Sequence, residues 1–153
     1  LEQRVRTTHH AAHTRSQTET LTLASGRAHA VAHAHTHIAP GADEAAVRQR
    51  LTGIPLAGQP RLVLRPHLEI QHDKVQAAHG ATWGALPEDA LFYARQRGLD
   101  DTRARALIAE GMAHALLERC LHHPDLLPPW LDSGWLAQAI AHHLAHSGEM
   151  HHG

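Results

Sequence analysis

With 153 residues the chain has the length of one domain, and 14 basic against 15 acidic side chains leave it at a formal net charge of −1 with histidine neutral. That balance excludes the dense positive surface by which proteins hold DNA or anionic membranes. No apolar run reaches the ~18 residues of a spanning helix and no charged-then-apolar leader opens the chain, so the expected location is cytoplasmic.

A single cysteine, Cys120, excludes an internal disulfide and any all-cysteine zinc or iron–sulfur site within one chain. The hydrophobic share is 42%, but only five residues are Phe, Trp or Tyr, and alanine supplies much of the rest. Such a core buries little area per residue, and stability is expected to lean on partners or on further chain. The sequence opens at Leu1 without a methionine, which reads as a C-terminal portion of a longer protein.

Taken in chain order, the first half alternates short strand-like segments with Gly and Pro breaks: Thr20 to Ala24, Ala28 to Ile38, Leu62 to Ile70 and Val75 to Thr82. In the second of these Ala28, Ala30, Ala32, Ala34, Thr36 and Ile38 alternate with a set that is mostly histidine, so one set faces inward and the other outward. Stacked short strands of this kind suit a β-solenoid whose rungs bury their faces against neighbours. The expected boundary lies near Leu86, dividing a β portion (1–85) from a helical domain (86–153).

The helical half is expected to begin with Pro87 at the first helical position and Glu88 and Asp89 in the electropositive first turn, and to stop at Gly98. A second helix is predicted from about Asp101 to Leu121, with Ala104, Leu107, Ile108, Met112, Ala115 and Leu116 on its apolar face. A third is predicted from near Ser133, burying Trp135, Leu136, Ala139, Ile140 and Leu144. Met112, Leu116 and Cys120 share one stripe, which reads as a buried, inert thiol.

No phosphate-binding loop, nucleophile elbow, H-E-x-x-H or paired CxxC occurs, so the expected protein is not an enzyme. The most unusual feature is 18 histidines, among them His29, His33, His35 and His37 on one strand face and the pairs His122-His123, His142-His143 and His151-His152. Side chains at i and i+2 of a strand lie about 6.5–7 Å apart on one side, within reach of a common divalent ion. Two readings of His33, His35 and His37 follow: a metal site, or an exposed face on which histidine replaces the usual polar residues. Because imidazoles crowded or metallated in a fold bind protons less readily than in the unfolded chain, stability is expected to fall between roughly pH 7.5 and 5.5.

The run PHLEIQHDKVQAAHGATWGALPEDALFYARQRG, from Pro66 to Gly98, resembles the C-terminal signature of the SufB/SufD family, scaffold subunits of the Suf iron–sulfur cluster assembly machine. The family pattern, approximately P-x-L-E-I-x-x-D-D-V-x-C-x-H-G-A-T-x-G-x-L-x-x-x-A-L-F-Y-x-x-x-R-G, is followed without a gap. His79-Gly80-Ala81-Thr82 looks like the SufD branch. His9 to Ser16, Gly26-Arg27-Ala28 and Ala39 to Ala42 continue the resemblance upstream, and nothing after about Cys120 contributes to it.

The resemblance implies a mainly β fold with α: the end of a right-handed parallel β-helix followed by a small C-terminal helical domain. It further implies a non-enzymatic scaffold binding a SufB-like subunit and a SufC-like ABC-type ATPase, with no permanently bound cofactor and a transient iron–sulfur cluster at the SufB interface. His79 matches a position contributing to that site. Read from its chemistry alone, it is a turn histidine ahead of Gly80. Leu91, Phe92, Tyr93 and Arg97 match the helical segment implied to dock the ATPase. Two departures stand out: Ala77 replaces a cysteine common in SufD proteins and supplies no thiolate, and Lys74 replaces the second Asp of the usual pair. Glu69 reads as a solvated strand carboxylate. A histidine-rich metal-binding or buffering protein on a degenerate SufD fold is the alternative.

Overall fold

The computed structural model describes residues 1–120 and 134–149, as six strands and three helices. The strands are β1 (Glu2–His9), β2 (Arg15–Gly26), β3 (His29–Ile38), β4 (Ala46–Gly58), β5 (Arg61–Ile70) and β6 (Gln76–Trp83). The helices are α1 (Glu88–Gln96), α2 (Asp101–Cys120) and α3 (Trp135–Glu149). Odd and even strands separate into two three-stranded sheets, ordered β1-β3-β5 and β2-β4-β6. The pairings of β3 with β1 and β5, and of β4 with β6, are parallel.

Two compact units divide the chain. The first comprises Leu1–Thr22, His29–Gly53 and Arg61–Trp83. Its interior lies between the sheets, where Ala32, Ala34 and Leu64 meet Leu51 and Ala81. Alternation explains the choice of residues: Ala30, Ala32, Ala34, Thr36 and Ile38 are buried as expected, although Ala28, just before the strand, is exposed. Buried Gln49 reaches across with its Nε2 donating to Thr36 Oγ1 at 2.7 Å, so part of this small-residue core is held by polar bonding.

The corners repeat. His13 and Glu44 both adopt left-handed backbone conformations, φ 58° and 55°, and the corner amides bond to the next corner's carbonyls: His13 N to Asp43 O at 2.7 Å, Glu44 N to Lys74 O at 2.8 Å. A second cluster of Ile38, Ala42, Ala45 and Val47 fills the β3–β4 corner. In the first corner His9 is 4% exposed, its Nδ1 at 2.6 Å from Thr14 Oγ1 and its Nε2 at 2.7 Å from Ser16 Oγ. The Thr14 hydroxyl donates to Ala11 O, so it accepts from His9 Nδ1–H, leaving Nε2 to accept from Ser16. Burial lowers the pKa of this neutral imidazole.

The second unit comprises Leu23–Ala28, Ile54–Pro60 and the described residues from Gly84 onward. Gly26 and Gly58, both at positive φ, stack so closely that a Cβ on Gly58 would stand 2.8 Å from Gly26 Cα. Helix α1 has Pro87 as its N-cap and Glu88 and Asp89 in the first turn. It ends in a Schellman arrangement, with Gly98 at φ 87°, Gly98 N bonded to Arg95 O and Leu99 N to Ala94 O. Asp100 Oδ1 accepts from Arg103 N and starts α2. Asp101 receives Arg105 and Arg95, which hold its carboxyl below the usual range, and Arg105 Nη1 also donates to Leu56 O at 2.9 Å.

Helix α2 packs against α1 and α3 through a different face from the predicted one, since of the expected set Ala104 alone is buried and Ile108, Met112 and Leu116 are half-buried. Ala104, Ala106, Ala109 and Glu110 are buried, whereas Leu107 and Ala115 are exposed. Small side chains there let helices approach closely and leave the larger ones outside. Glu110 acts as a cap for its neighbour, because its Oε1 accepts from Ala137 N at 3.1 Å in the first turn of α3. On α3 itself Ile140 and Leu144 are buried, but Trp135 and Ala139 are exposed, contrary to expectation. The expected helix ends at Leu121 and Ser133, the side chain of Cys120, and the pairs His122-His123 and His151-His152 lie outside the described residues.

Candidate functional site

Strand β6 carries His79 opposite Gln49 of β4, in the register Val47 to Ala77, Gln49 to His79 and Leu51 to Ala81. Partners in a parallel pair share a face, and Val47, Gln49 and Leu51 are buried. Ala77, His79 and Ala81 are therefore the inward set of β6. Because β6 is the last strand of its sheet, that set has a hydrogen-bonded neighbour on one side only, and His79 and Ala77 are exposed. Trp83, two positions beyond Ala81 on the same set, is 60% exposed.

His79 lines a concavity with Arg48, Gln49, Arg50, Ala78, Gly80 and Thr82. A side chain on Gly80 would meet nothing within 4 Å, so the approach is open. Arg48 and Arg50 are exposed beside it on the outward set of β4, giving the surroundings a positive charge that favours an anionic group. One imidazole can contribute one metal ligand. Ala77, on the same face two residues away, contributes none, so any cluster held here takes its remaining ligands from elsewhere. Neither arginine is among the expected site residues; the alternation Val47-Arg48-Gln49-Arg50-Leu51 is the signal that places them.

On the other sheet, the outward set of β3 is His33, His35 and His37. His33 Nε2 lies 3.1 Å from Glu2 Oε1, His35 Nε2 3.5 Å from Glu69 Oε2, and His37 Nε2 3.9 Å from Glu69 Oε1. Glu69, expected as a lone solvated carboxylate, thus faces two imidazoles. As the side chains stand, no three His, Cys, Asp or Glu among the described residues surround a common point.

In the helical unit the expected docking residues separate. Leu91 is only 1% exposed, packed into its own unit and not available at the surface, because its position in the turn after Pro87 points it inward. Phe92 and Tyr93 are 64% and 58% exposed, and the Arg97 guanidinium stacks over the Tyr93 ring at 4.3 Å. Leu107 adds a further exposed apolar side chain.

No helix among the described residues is long and apolar enough to cross a membrane. A family model described as the SUF system FeS cluster assembly SufBD core domain matches residues 1–112. The chain is 35% identical over 83 residues to an iron–sulfur cluster assembly SufBD family protein of Synechocystis sp., an alignment covering 54% of this chain and 18% of that protein. It is 39% identical over 54 residues to the iron–sulfur cluster assembly protein SufD of Escherichia coli, covering 35% and 13%. Against protein ABCI7, chloroplastic, of Arabidopsis thaliana the identity is 47% over 47 residues, covering 30% and 10%. The aligned segments span less than a fifth of each of these curated relatives.

Proposed function

We propose, from the premise that this chain belongs to the SufBD core family of the SUF iron–sulfur cluster assembly system, that it is a SufD-like, non-enzymatic scaffold working in the cytoplasm. The alternating parallel sheets are read as rungs of a right-handed β-helix, with the helical segment from Leu86 onward as a separate C-terminal domain. The uncovered face of β6 meets a SufB-like subunit, and a nascent cluster is the cargo assembled between them. The helical domain docks a SufC-like ATPase through Phe92, Tyr93 and Arg97, which supplies the nucleotide hydrolysis for which this sequence has no motif.

The observation that carries this reading is His79: a single metal-capable side chain on the inward set of an uncovered edge strand, with alanines for neighbours. Such a residue cannot hold a cluster by itself, and it lies where a second sheet edge can approach. Tagged full-length chain should co-purify with a SufB-like and a SufC-like subunit when the three are co-expressed. Recovery of the chain free of both partners would overturn the proposal.

A further inference from the structure

We infer that the outward face of β3 and β5 holds a divalent transition-metal site made by His35, His37 and Glu69, with His67 as fourth candidate ligand. This goes beyond the scaffold reading and does not depend on it. The parallel register sets His35 beside His67 and His37 beside Glu69, so four side chains able to ligate metal form a two-by-two block on one face. Within that block the His35 and His67 rings already meet edge to face, with centroids 4.8 Å apart. Rows about 4.8 Å apart and i, i+2 steps of about 6.5–7 Å bring imidazoles on a sheet to one ion.

The second observation concerns the ring nitrogens themselves. Nε2 of His35 and Nε2 of His37 are both shut off from solvent and neither makes a hydrogen bond. A buried polar atom without a partner costs free energy and calls for an explanation, of which a bound ion is one. Both nitrogens face the same carboxylate. The 3.5 Å between His35 Nε2 and Glu69 Oε2 is close to the ~3.4 Å that separates two ligands placed tetrahedrally at ~2.1 Å around zinc. The 3.9 Å between His37 Nε2 and Glu69 Oε1 is wider, so ligation requires side-chain rotation on a fixed backbone to bring three donors to one point.

The neighbours decide which histidines take part. His33 is paired with Glu2 and stands in register between Arg4 of β1 and Arg65 of β5, two cations that disfavour a third. Arg6 faces His35 from β1 and Thr8 faces His37, which leaves the β5 side, where Glu69 supplies the negative charge, as the place for the ion. Three imidazoles and one carboxylate suit zinc-class ions and give no preference to soft copper(I).

The test uses the full chain, freed of metal with a chelator and titrated with Co²⁺ as a spectroscopic probe, then with Zn²⁺ as competitor. One equivalent of Co²⁺ should give an intense low-coordinate visible spectrum that Zn²⁺ abolishes. His37→Ala should remove that spectrum and weaken binding tenfold or more, and the near-isosteric Glu69→Gln should do the same without altering the metal-free melting temperature. His33→Ala should leave affinity and spectrum unchanged. A weak octahedral spectrum indifferent to His37→Ala and Glu69→Gln, or an equal loss in His33→Ala, would show binding by scattered histidines and overturn the assignment.

Discussion

At the scale of single residues, two positions tie chemistry to stability. His9 is neutral and buried in the fold, with its pKa lowered by loss of solvation. Above about pH 6.5 both folded and unfolded states are neutral; below it the unfolded chain takes the proton first, so stability falls as pH drops. Chemical denaturation at pH 7.5 and 5.5 should show a loss in the parent that is smaller in His9→Gln, and equal losses would place the acid sensitivity elsewhere. Glu110 caps α3 from a neighbouring helix, so Glu110→Gln should keep most stability while Glu110→Ala loses about 1 kcal/mol. Equal melting temperatures for those two variants would deny the cap its role. Residue chemistry misleads for His79, which reads as a turn histidine ahead of Gly80 but lies within strand β6 in register with Gln49, and it is silent for Leu91. The Leu91-Phe92-Tyr93 run is apolar throughout and does not say which member turns inward.

At the scale of elements, the legible strands are those with strict alternation or a clean apolar run. β3 announces itself by alanine against histidine, and β5 and β6 by runs ending near Asp73 and Gly84. β1 is hidden because Glu2-Gln3-Arg4 carries no apolar set of its own. β4 is hidden because Gly53 and Pro55 interrupt it, and Pro55 lies past the last pair with β6. Whereas α3 takes its cap from Glu110 of another helix, the start of α1 at Pro87, Glu88 and Asp89 and the Gly98 stop are written in local residues. The buried face of α2 is not, because it is chosen by close approach of alanines and not by the size of leucines. Gly58 tests the corner stacking: Gly58→Ala meets Gly26 backbone and a left-handed φ together, and should cost at least roughly 2 kcal/mol in urea denaturation. A smaller loss would mean that the turn relaxes freely. On α1, replacing Phe92 and Tyr93 by serine should abolish co-purification of the proposed SufC-like ATPase with the melting temperature of the chain kept, because both side chains are already in water.

At the scale of the whole molecule, an alanine-rich core, a sheet edge with its inward face uncovered and an exposed aromatic pair on a short helix point the same way. Each is a weakness in an isolated domain and an asset in a subunit. β6 offers a single donor, His79, on its inward set, so under the proposed function a cluster there would take its other ligands from a partner. The proposed role of His79, one ligand to a cluster completed by a partner, is tested by cluster reconstitution with SufB-like and SufC-like subunits, followed by visible absorbance of the iron–sulfur chromophore. His79→Ala should slow cluster formation while the three subunits still co-elute, and Ala77→Cys, placing a thiolate on the same face, should leave the rate unchanged or raise it. An unchanged rate in His79→Ala, with the complex intact, would contradict that role.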